Sequence, residues 1–201
     1  MAKTPVSFFG LLVVLIVFPG SGCWEAPGFC RGYECPVYTL VQENNGFEER
    51  NYDTSYWITT DVASTSKDDV ATGFWKLYYF NKGENKEKKE IVMTRPVLVT
   101  VKEADGTGEK QVSISLYQSD SDIPAPNDET IRITMVPGGT VYVRSFGGFA
   151  EYEDGINEVN SLKEELRAAG KQFVENGFDA AGYDAPWDLI YRHNEVWLHA
   201  A

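Results

Sequence analysis

The chain has few of the residues that usually bind metals. Its 201 residues include three cysteines and two histidines, His193 and His199, so a zinc site would need carboxylates to complete its ligands. Basic residues are also scarce, with 18 against 30 acidic ones and a net charge of −12. Because cations that release counterions from phosphates drive nucleic-acid binding, we expect neither nucleic acid nor an anionic membrane surface as a partner.

No motif of a common enzyme class is present. The sequence lacks a glycine-rich phosphate loop after a strand, a His-x-x-x-His pair, a nucleophile elbow and a kinase signature. His193 and His199 lie on one predicted strand, about 20 Å apart at ~3.3 Å per residue, so they cannot share a metal ion. We therefore expect a protein that is not an enzyme.

The one long apolar run lies at the start of the chain. Residues 8–18 are apolar apart from Gly10, follow Lys3 and precede small residues at 19–22. The run is about half of the ~20 residues that a membrane span requires, so the pattern predicts a secretory signal peptide at 1–22 and a secreted, extracellular protein. Cleavage there leaves 17 basic and 30 acidic residues and a net charge of −13.

All three cysteines lie in a predicted N-terminal arm, residues 23–46, which precedes a domain at 47–201. An oxidising compartment favours disulfides, and one bridge among Cys23, Cys30 and Cys35 can form in three ways. Cys30 with Cys35 closes a short loop and is slightly favoured, whereas Cys23 with Cys35 would pin the arm. In either case one thiol is left over.

Hydrophobic periodicity predicts two similar halves, each in the order strand, strand, helix, strand, strand. Strands are predicted at 47–52, 56–62, 91–101, 111–118, 131–136 and 140–146, and helices at 66–82 and 150–169. Ser66 is a predicted N-cap, and Gly83 and Gly170 are predicted helix stops. In the closing strand Val196 and Leu198 share one face, and Glu195, Trp197 and His199 share the other. This order predicts an α+β fold with two helices on a curved sheet or open barrel.

The first predicted helix carries more aromatic residues than one buried face needs. They are Phe74, Trp75, Tyr78, Tyr79 and Phe80. The surplus, Tyr78 and Tyr79, is suited either to an exposed apolar groove for a flat ligand or to packing against the N-terminal arm.

Several blocks of sequence resemble the SOUL or haem-binding-protein family. They are Gly-Phe-Trp-Lys-Leu (73–77), Gly-Glu-Asn (83–85), Met-Thr-Arg-Pro-Val (93–97), Val-Arg-Ser-Phe-Gly-Gly-Phe (143–149), Ala-Gly-Tyr-Asp-Ala-Pro (181–186) and Arg-His-Asn-Glu-Val-Trp-Leu (192–198). The resemblance covers about residues 38–198 in the family's order. It implies a distorted antiparallel β-barrel of two pseudo-symmetric halves with two long helices packed on it. It also implies that the chain binds a tetrapyrrole, haem or another porphyrin, without catalysis.

The resemblance places the ligand groove along the first helix and the loop before the last strand. The corresponding residues are Ala71, Phe74, Leu77 and Tyr78 in the helix and Tyr183, Pro186, Trp187 and Asp188 in the loop. Two positions depart from the family pattern. Asn51 stands where some members carry a histidine proposed as the iron ligand. Asp188 stands where many carry a lysine placed to meet a propionate, so that Arg192 or Lys76 would have to compensate.

These departures predict weak, mainly hydrophobic haem binding, with His193 or a cysteine as the candidate axial ligand. The alternative is a protein-interaction module of the same fold that has lost haem coordination, using Leu162 and Leu166 of the second helix to contact a protein partner. Burial of those leucines in a stripe that faces the core is the simpler explanation of their spacing. An enzyme that modifies tetrapyrroles would need a titratable group beside the groove, for which Tyr78 and Asp188 are the weak candidates.

Overall fold

The computed structural model describes residues 24–104, 108–185 and 188–201. The predicted signal peptide, Cys23, Pro186 and Trp187 lie outside these ranges.

Within them the chain forms nine strands and two α-helices. The strands are β1 (Tyr38–Glu43), β2 (Glu48–Tyr52), β3 (Ser55–Val62), β4 (Val97–Glu103), β5 (Lys110–Gln118), β6 (Ile131–Val136), β7 (Gly139–Phe146), β8 (Gly177–Gly182) and β9 (Asn194–His199). The helices are α1 (Lys67–Asn81) and α2 (Tyr152–Ala168).

The strands form one antiparallel sheet whose order shows the duplication. That order is β1-β2-β7-β9-β8-β4-β5-β3-β6. Reading outward from the central β8–β4 pair, β9, β7 and β2 on one side correspond to β5, β3 and β6 on the other. Only β1 has no counterpart. The sheet curls into a half-barrel with α1 on β3 and β5 and α2 on β7 and β9, which confirms the predicted α+β fold.

The two faces of the sheet bury different clusters. Under α1 lie Ile58, Leu77, Phe80, Ile114, Leu116 and Ile131. Under α2 lie Phe47, Tyr142, Val159, Leu162, Leu166, Phe173, Val196 and Leu198. Neighbouring strand residues point to opposite faces, so Trp57 and Trp197 join a third, central cluster on the other side, together with Cys30, Cys35 and Tyr183.

The helix ends lie where the sequence predicts them. Ser66 accepts a hydrogen bond from the backbone N–H of Asp69 at 3.2 Å, and Gly83 follows α1 with a φ of 99°. Such a positive φ favours glycine, which has no Cβ. Gly170 ends α2 in the same way, with a φ of 68°.

Three stretches differ from the sequence prediction. β1 was not predicted because five of its six residues are exposed, so it shows no alternation of buried and exposed positions. β8 was not predicted because it has a glycine at each end. The strand predicted at 91–101 begins only at Val97, and residues 91–96 form an irregular segment before it. None of the described helices is long and apolar enough to cross a bilayer.

α1 packs closely against the sheet at Gly73. A Cβ there would lie 2.5 Å from Cγ2 of Ile114 and 2.6 Å from Cγ1 of Val62, which are short branches with little freedom to move. We expect Gly73→Ala to lower the free energy of unfolding by about 1–3 kcal/mol, because overpacking outweighs the gain in helix propensity. Gly155→Ala in α2 is the matched control, since nothing lies within 4 Å of its added Cβ. Urea unfolding should show this control unchanged or stabilised, and equal behaviour of the two variants would contradict the close packing.

Candidate functional site

Four aromatic side chains form an exposed cluster on the outer side of α1, here called the aromatic face. They are Phe74, Trp75, Tyr78 and Tyr79, and their ring centroids lie 5.3–6.2 Å apart. Trp75 and Tyr79 are each 48% exposed, while Phe74 and Tyr78 are half-buried. The helix therefore presents flat apolar surface to solvent in addition to its buried side.

The helix residues carried over from the family divide between this surface and the core. Ala71 is exposed, and Phe74 and Tyr78 belong to the aromatic face. Leu77 is 0% exposed and packs in the cluster under α1. It therefore supports the helix from below and offers no surface to a ligand.

A buried carboxylate organises the central cluster at the other site. Glu195 on β9 is 0% exposed. Its Oε1 accepts hydrogen bonds from Arg50 at 2.9 Å and from Nε2 of His193 at 2.8 Å. Its Oε2 accepts from the hydroxyl of Tyr183 at 2.8 Å and from Nε1 of Trp197 at 2.7 Å. An ionised carboxylate only accepts, so the proton on Nε2 belongs to His193.

Arg50 on β2 supplies the opposite charge. Its guanidinium also donates to Glu48 at 2.6 Å and to the hydroxyl of Tyr52 at 3.0 Å, and it lies 4.5 Å from the ring centroid of Tyr38. Burial alone would raise the pKa of Glu195, but the hydrogen bond from His193 and the charge of Arg50 lower this pKa to about 2. Glu195 is therefore ionised at neutral pH.

His193 sits at the edge of this network, beside the N-terminal arm. Its imidazole stacks on the ring of Phe29, with centroids 4.1 Å apart and planes 4° from parallel. The Tyr183 ring meets it edge-on at 5.1 Å. The side chain of His193 is 21% exposed. Tyr183 itself is 2% exposed. Of these two predicted residues, only His193 therefore has a side chain that reaches solvent.

The charged side chains of the loop before β9 already have polar partners within the chain. Arg192 donates to the carbonyl oxygens of Ala185 at 2.7 Å and Asp188 at 2.8 Å. The Asp188 carboxylate accepts from the backbone N–H of Ala185 and lies 3.8 Å from Arg95. Lys76 instead bonds Thr130 at 2.8 Å. Arg95 is thus the cation beside the Asp188 carboxylate, and compensation by Arg192 or Lys76 toward a ligand's propionate stays a prediction.

The predicted residues thus lie in two places. Phe74 packs against the cluster under α1, whereas Tyr183 belongs to the central cluster on the other face of the sheet. Asn51 is exposed on β2, next to the buried Arg50. Sequence reasoning missed Arg50, Glu195 and Phe29. Glu195 could have been singled out from the sequence, because an acidic residue inside an otherwise apolar strand indicates a buried charge that needs a partner.

Comparison with known proteins identifies the family. The model of the SOUL heme-binding protein family matches residues 33–199. The chain belongs to the SOUL haem-binding family. Human Heme-binding protein 2 is 36% identical over 172 residues, which cover 83% of this chain and 83% of the relative. Heme-binding protein 1 of Xenopus laevis is 30% identical over 157 residues, covering 76% and 82%.

Solved structures share the fold of this SOUL-family chain at low sequence identity. The EcmrR C-terminal domain has a TM-score of 0.57 and 10% identity, covering 82% of this chain and 98% of that one. A hydrolase from Listeria innocua has a TM-score of 0.55 and 8% identity, covering 80% and 94%. At these identities the likeness shows the fold alone.

The two places found in this SOUL-family chain lie on opposite faces of the sheet, so one haem cannot contact both. The aromatic face fits the flat macrocycle. His193 stacks on Phe29 in the central cluster, and its Nε2 is already bonded to Glu195. Among the described residues, no group of three or more histidine, cysteine or acidic side chains is placed to hold a metal ion by itself.

Removing the charge of Glu195 should destabilise the fold strongly. We expect Glu195→Gln to lower the free energy of unfolding by about 3–5 kcal/mol, because Arg50 would remain buried without its main partner. Glu175→Gln is the matched control, since Glu175 pairs with Arg167 where both side chains are more than half exposed. It should cost less than about 1 kcal/mol. Chemical denaturation would contradict this account if the two losses were similar.

The same carboxylate predicts an acid-sensitive stability. Its pKa falls from an ordinary 4.5 to about 2 in the folded chain, so ionised Glu195 favours folding. This contribution, roughly 3 kcal/mol, is complete above about pH 4.5 and is lost as the pH falls towards 2. Urea unfolding followed between about pH 2 and 7 should show this loss. Glu195→Gln should have a shallower pH dependence, and an unchanged slope would count against the assignment.

Proposed function

We propose that this SOUL-family chain binds haem or a related porphyrin, mainly through apolar contacts and without catalysing a reaction. The observation that carries the proposal is the aromatic face of α1. Leu77 and Phe80 already fill the buried side of the helix, so the half-exposed rings of Trp75 and Tyr79 are not needed for the core. The relatives named Heme-binding protein 1 and 2 support a tetrapyrrole as the ligand.

The charges near both places favour apolar rather than ionic recognition. Lys76, Arg95 and Arg192 are each engaged by hydroxyl, acidic or carbonyl oxygens of the chain itself. A propionate would have to compete for them, and a net charge of −12 opposes an anionic ligand. The proposed affinity therefore comes from ring contacts and is modest.

The interaction-module alternative has no support from α2. Leu162 and Leu166 are each 0% exposed and pack against β7 and β9 in the cluster under that helix. They could reach a partner only if the helix left the sheet. A protein partner at another surface stays a separate hypothesis, which no described feature favours over the tetrapyrrole.

The proposed location is outside the cell. Supporting it are the apolar run at 8–18 and the disulfide between Cys30 and Cys35, with an S–S distance of 2.09 Å, since disulfides persist in oxidising compartments. That bridge is the pairing favoured from the sequence. Expression of the full chain in a secreting eukaryotic cell should release a product starting at Cys23, and mass spectrometry of the medium would measure its start. A retained product with an intact N-terminus would overturn the proposal.

Porphyrin titrations test the ligand. Haemin absorbance and the fluorescence of metal-free protoporphyrin should both change saturably. The double variant Trp75→Ala, Tyr79→Ala should weaken both by about tenfold, because each exposed ring contributes about 0.5–1.5 kcal/mol of contact. Val41→Ala is the control, since Val41 is 55% exposed and lies on β1, outside α1. Absence of saturation, or equal affinity of the double variant and wild type, would reject the aromatic face as the site.

A further inference from the structure

An open cavity of about 630 Å³ lies between the N-terminal arm and the end of β5. The arm contributes residues 24–28, 32–35 and 37 to its lining, and the end of the strand contributes Tyr117 and Ser119. Sites for small molecules commonly have volumes of roughly 300–1,000 Å³. The cavity is therefore large enough for a small organic ligand, and its described lining includes no residue of the aromatic face.

A second cavity, of about 240 Å³, adjoins the first. Glu34 and Ser119 line both cavities, so the two form one groove, here called the arm groove. The second part is otherwise lined by residues 89–92, Gln118, Asp120, Asp122 and Ile123. A ligand centred near Glu34 can thus place one end in each part.

The charged side chains of the arm groove are almost all acidic. Among the described residues, its lining holds five carboxylates and one amino group, from Glu25, Glu34, Glu90, Asp120, Asp122 and Lys89. Lys89 already donates to Asp122 at 2.8 Å. Glu25 and Glu34 have no ion-pair partner within the described part of the chain. The groove therefore presents negative charge that attracts a cation.

Three aromatic side chains give the groove an apolar wall. They are Trp24, which is half-buried, Tyr33, which is exposed, and Tyr117, which is buried. The guanidinium of Arg95 lies 4.5 Å from the ring centroid of Tyr33, and its charge faces Asp188 at 3.8 Å. Aromatic faces attract cations, so rings next to carboxylates suit a ligand with a cationic group on an apolar body.

One buried polar atom of the groove has no partner. Gln118 lines the smaller part and is 2% exposed. Its Nε2 donates to the carbonyl oxygen of Tyr117 at 2.7 Å, whereas its Oε1 accepts no hydrogen bond from the described residues. Burying an acceptor without a donor is unfavourable. An N–H group of a ligand in this part of the groove would supply the donor.

We propose that the arm groove binds a small organic cation that carries an ammonium N–H group on an apolar body. The ammonium lies beside Glu34 and donates to Oε1 of Gln118, while the body rests on Trp24 and Tyr33. The disulfide between Cys30 and Cys35 closes the turn between the two stretches of arm that line the groove, so the wall is in place before the ligand arrives. The inference does not rest on haem binding, since the aromatic face is a separate place.

Three probes with the same body and different charges test the class of ligand. In isothermal titration calorimetry, phenethylammonium should bind saturably and about fivefold tighter than 2-phenylethanol, and 3-phenylpropionate should not bind. Added salt should weaken the binding of the ammonium but not of the alcohol. Equal affinities of the cation and the alcohol, or no saturation by the cation, would overturn the proposal.

Glu34→Gln tests the position of the charge. It should weaken phenethylammonium binding by about fivefold, because it removes an ion pair near the surface. The backbone N–H of Arg95 bonds the carbonyl oxygen of residue 34 and not its carboxylate, so the arm should stay in place. Glu43→Gln is the charge-matched control, since Glu43 is exposed on β1 and outside the groove. Equal affinities of these two variants would contradict the proposed site.

The buried amide is tested with a ligand that lacks the N–H group. Phenethyltrimethylammonium keeps the charge, so wild type should prefer the primary ammonium by about fivefold, and Gln118→Leu should lose this preference. The hydroxyl of Thr94 also donates to the carbonyl oxygen of Tyr117, which therefore keeps a partner in the variant. A preference that survives the substitution would overturn the placement of the ammonium.

Cross-tests separate this inference from the proposed function. The double variant Trp75→Ala, Tyr79→Ala should bind phenethylammonium as wild type does, and Glu34→Gln should leave protoporphyrin binding unchanged. If protoporphyrin binds and phenethylammonium does not, the proposed function stands and the inference is wrong. If phenethylammonium alone binds, the inference stands without the proposed function. Weaker phenethylammonium binding by the double variant would place the cation on α1 and reject the arm groove.

Discussion

The four hydrogen bonds received by the Glu195 carboxylate are the interaction on which the central part of the molecule depends. A carboxylate without exposed surface is tolerated only when its charge is balanced and its lone pairs are used. Here Arg50 balances the charge from β2, and His193, Tyr183 and Trp197 use the remaining acceptor sites. The network joins β2 to β9, across β7, and to the loop before β9. It also sets the orientation of the His193 imidazole on which Phe29 stacks.

The two halves repeat the same topology but carry different chemistry. β9 in the second half supplies the buried acid, whereas its counterpart β5 carries Ile114, Ser115 and Leu116 in the interior of the strand. Conversely, α1 carries the aromatic face and α2 carries an outer side of charged residues paired with Arg144 and Glu175. Equivalent elements of the two halves have thus diverged, so that the first half carries an exposed aromatic face and the second a buried acid.

Local patterns predicted the elements of the frame but not its buried charges. Ser66, Gly83 and the alternation of Val196 with Leu198 each follow from rules that span a few residues, and the structure confirms them. Arg50 and Glu195 are 145 positions apart, and no local rule pairs them. Strand β1 was not predicted for a related reason, since it is held by pairing with β2 and has no buried face of its own. Of the residues that the family resemblance assigned to the groove, Leu77 and Tyr183 are buried, because a position matched by resemblance does not tell a side chain under a surface from one on it.

The acidic balance of the chain limits how the aromatic face can bind a ligand. Lys76, Arg95 and Arg192 already have partners within the chain, so ionic attraction adds little for a ligand that carries carboxylates. Stacking on exposed rings is indifferent to that charge. A flat ligand on α1 would therefore gain its affinity from the macrocycle itself and tolerate changes in the substituents that the macrocycle carries.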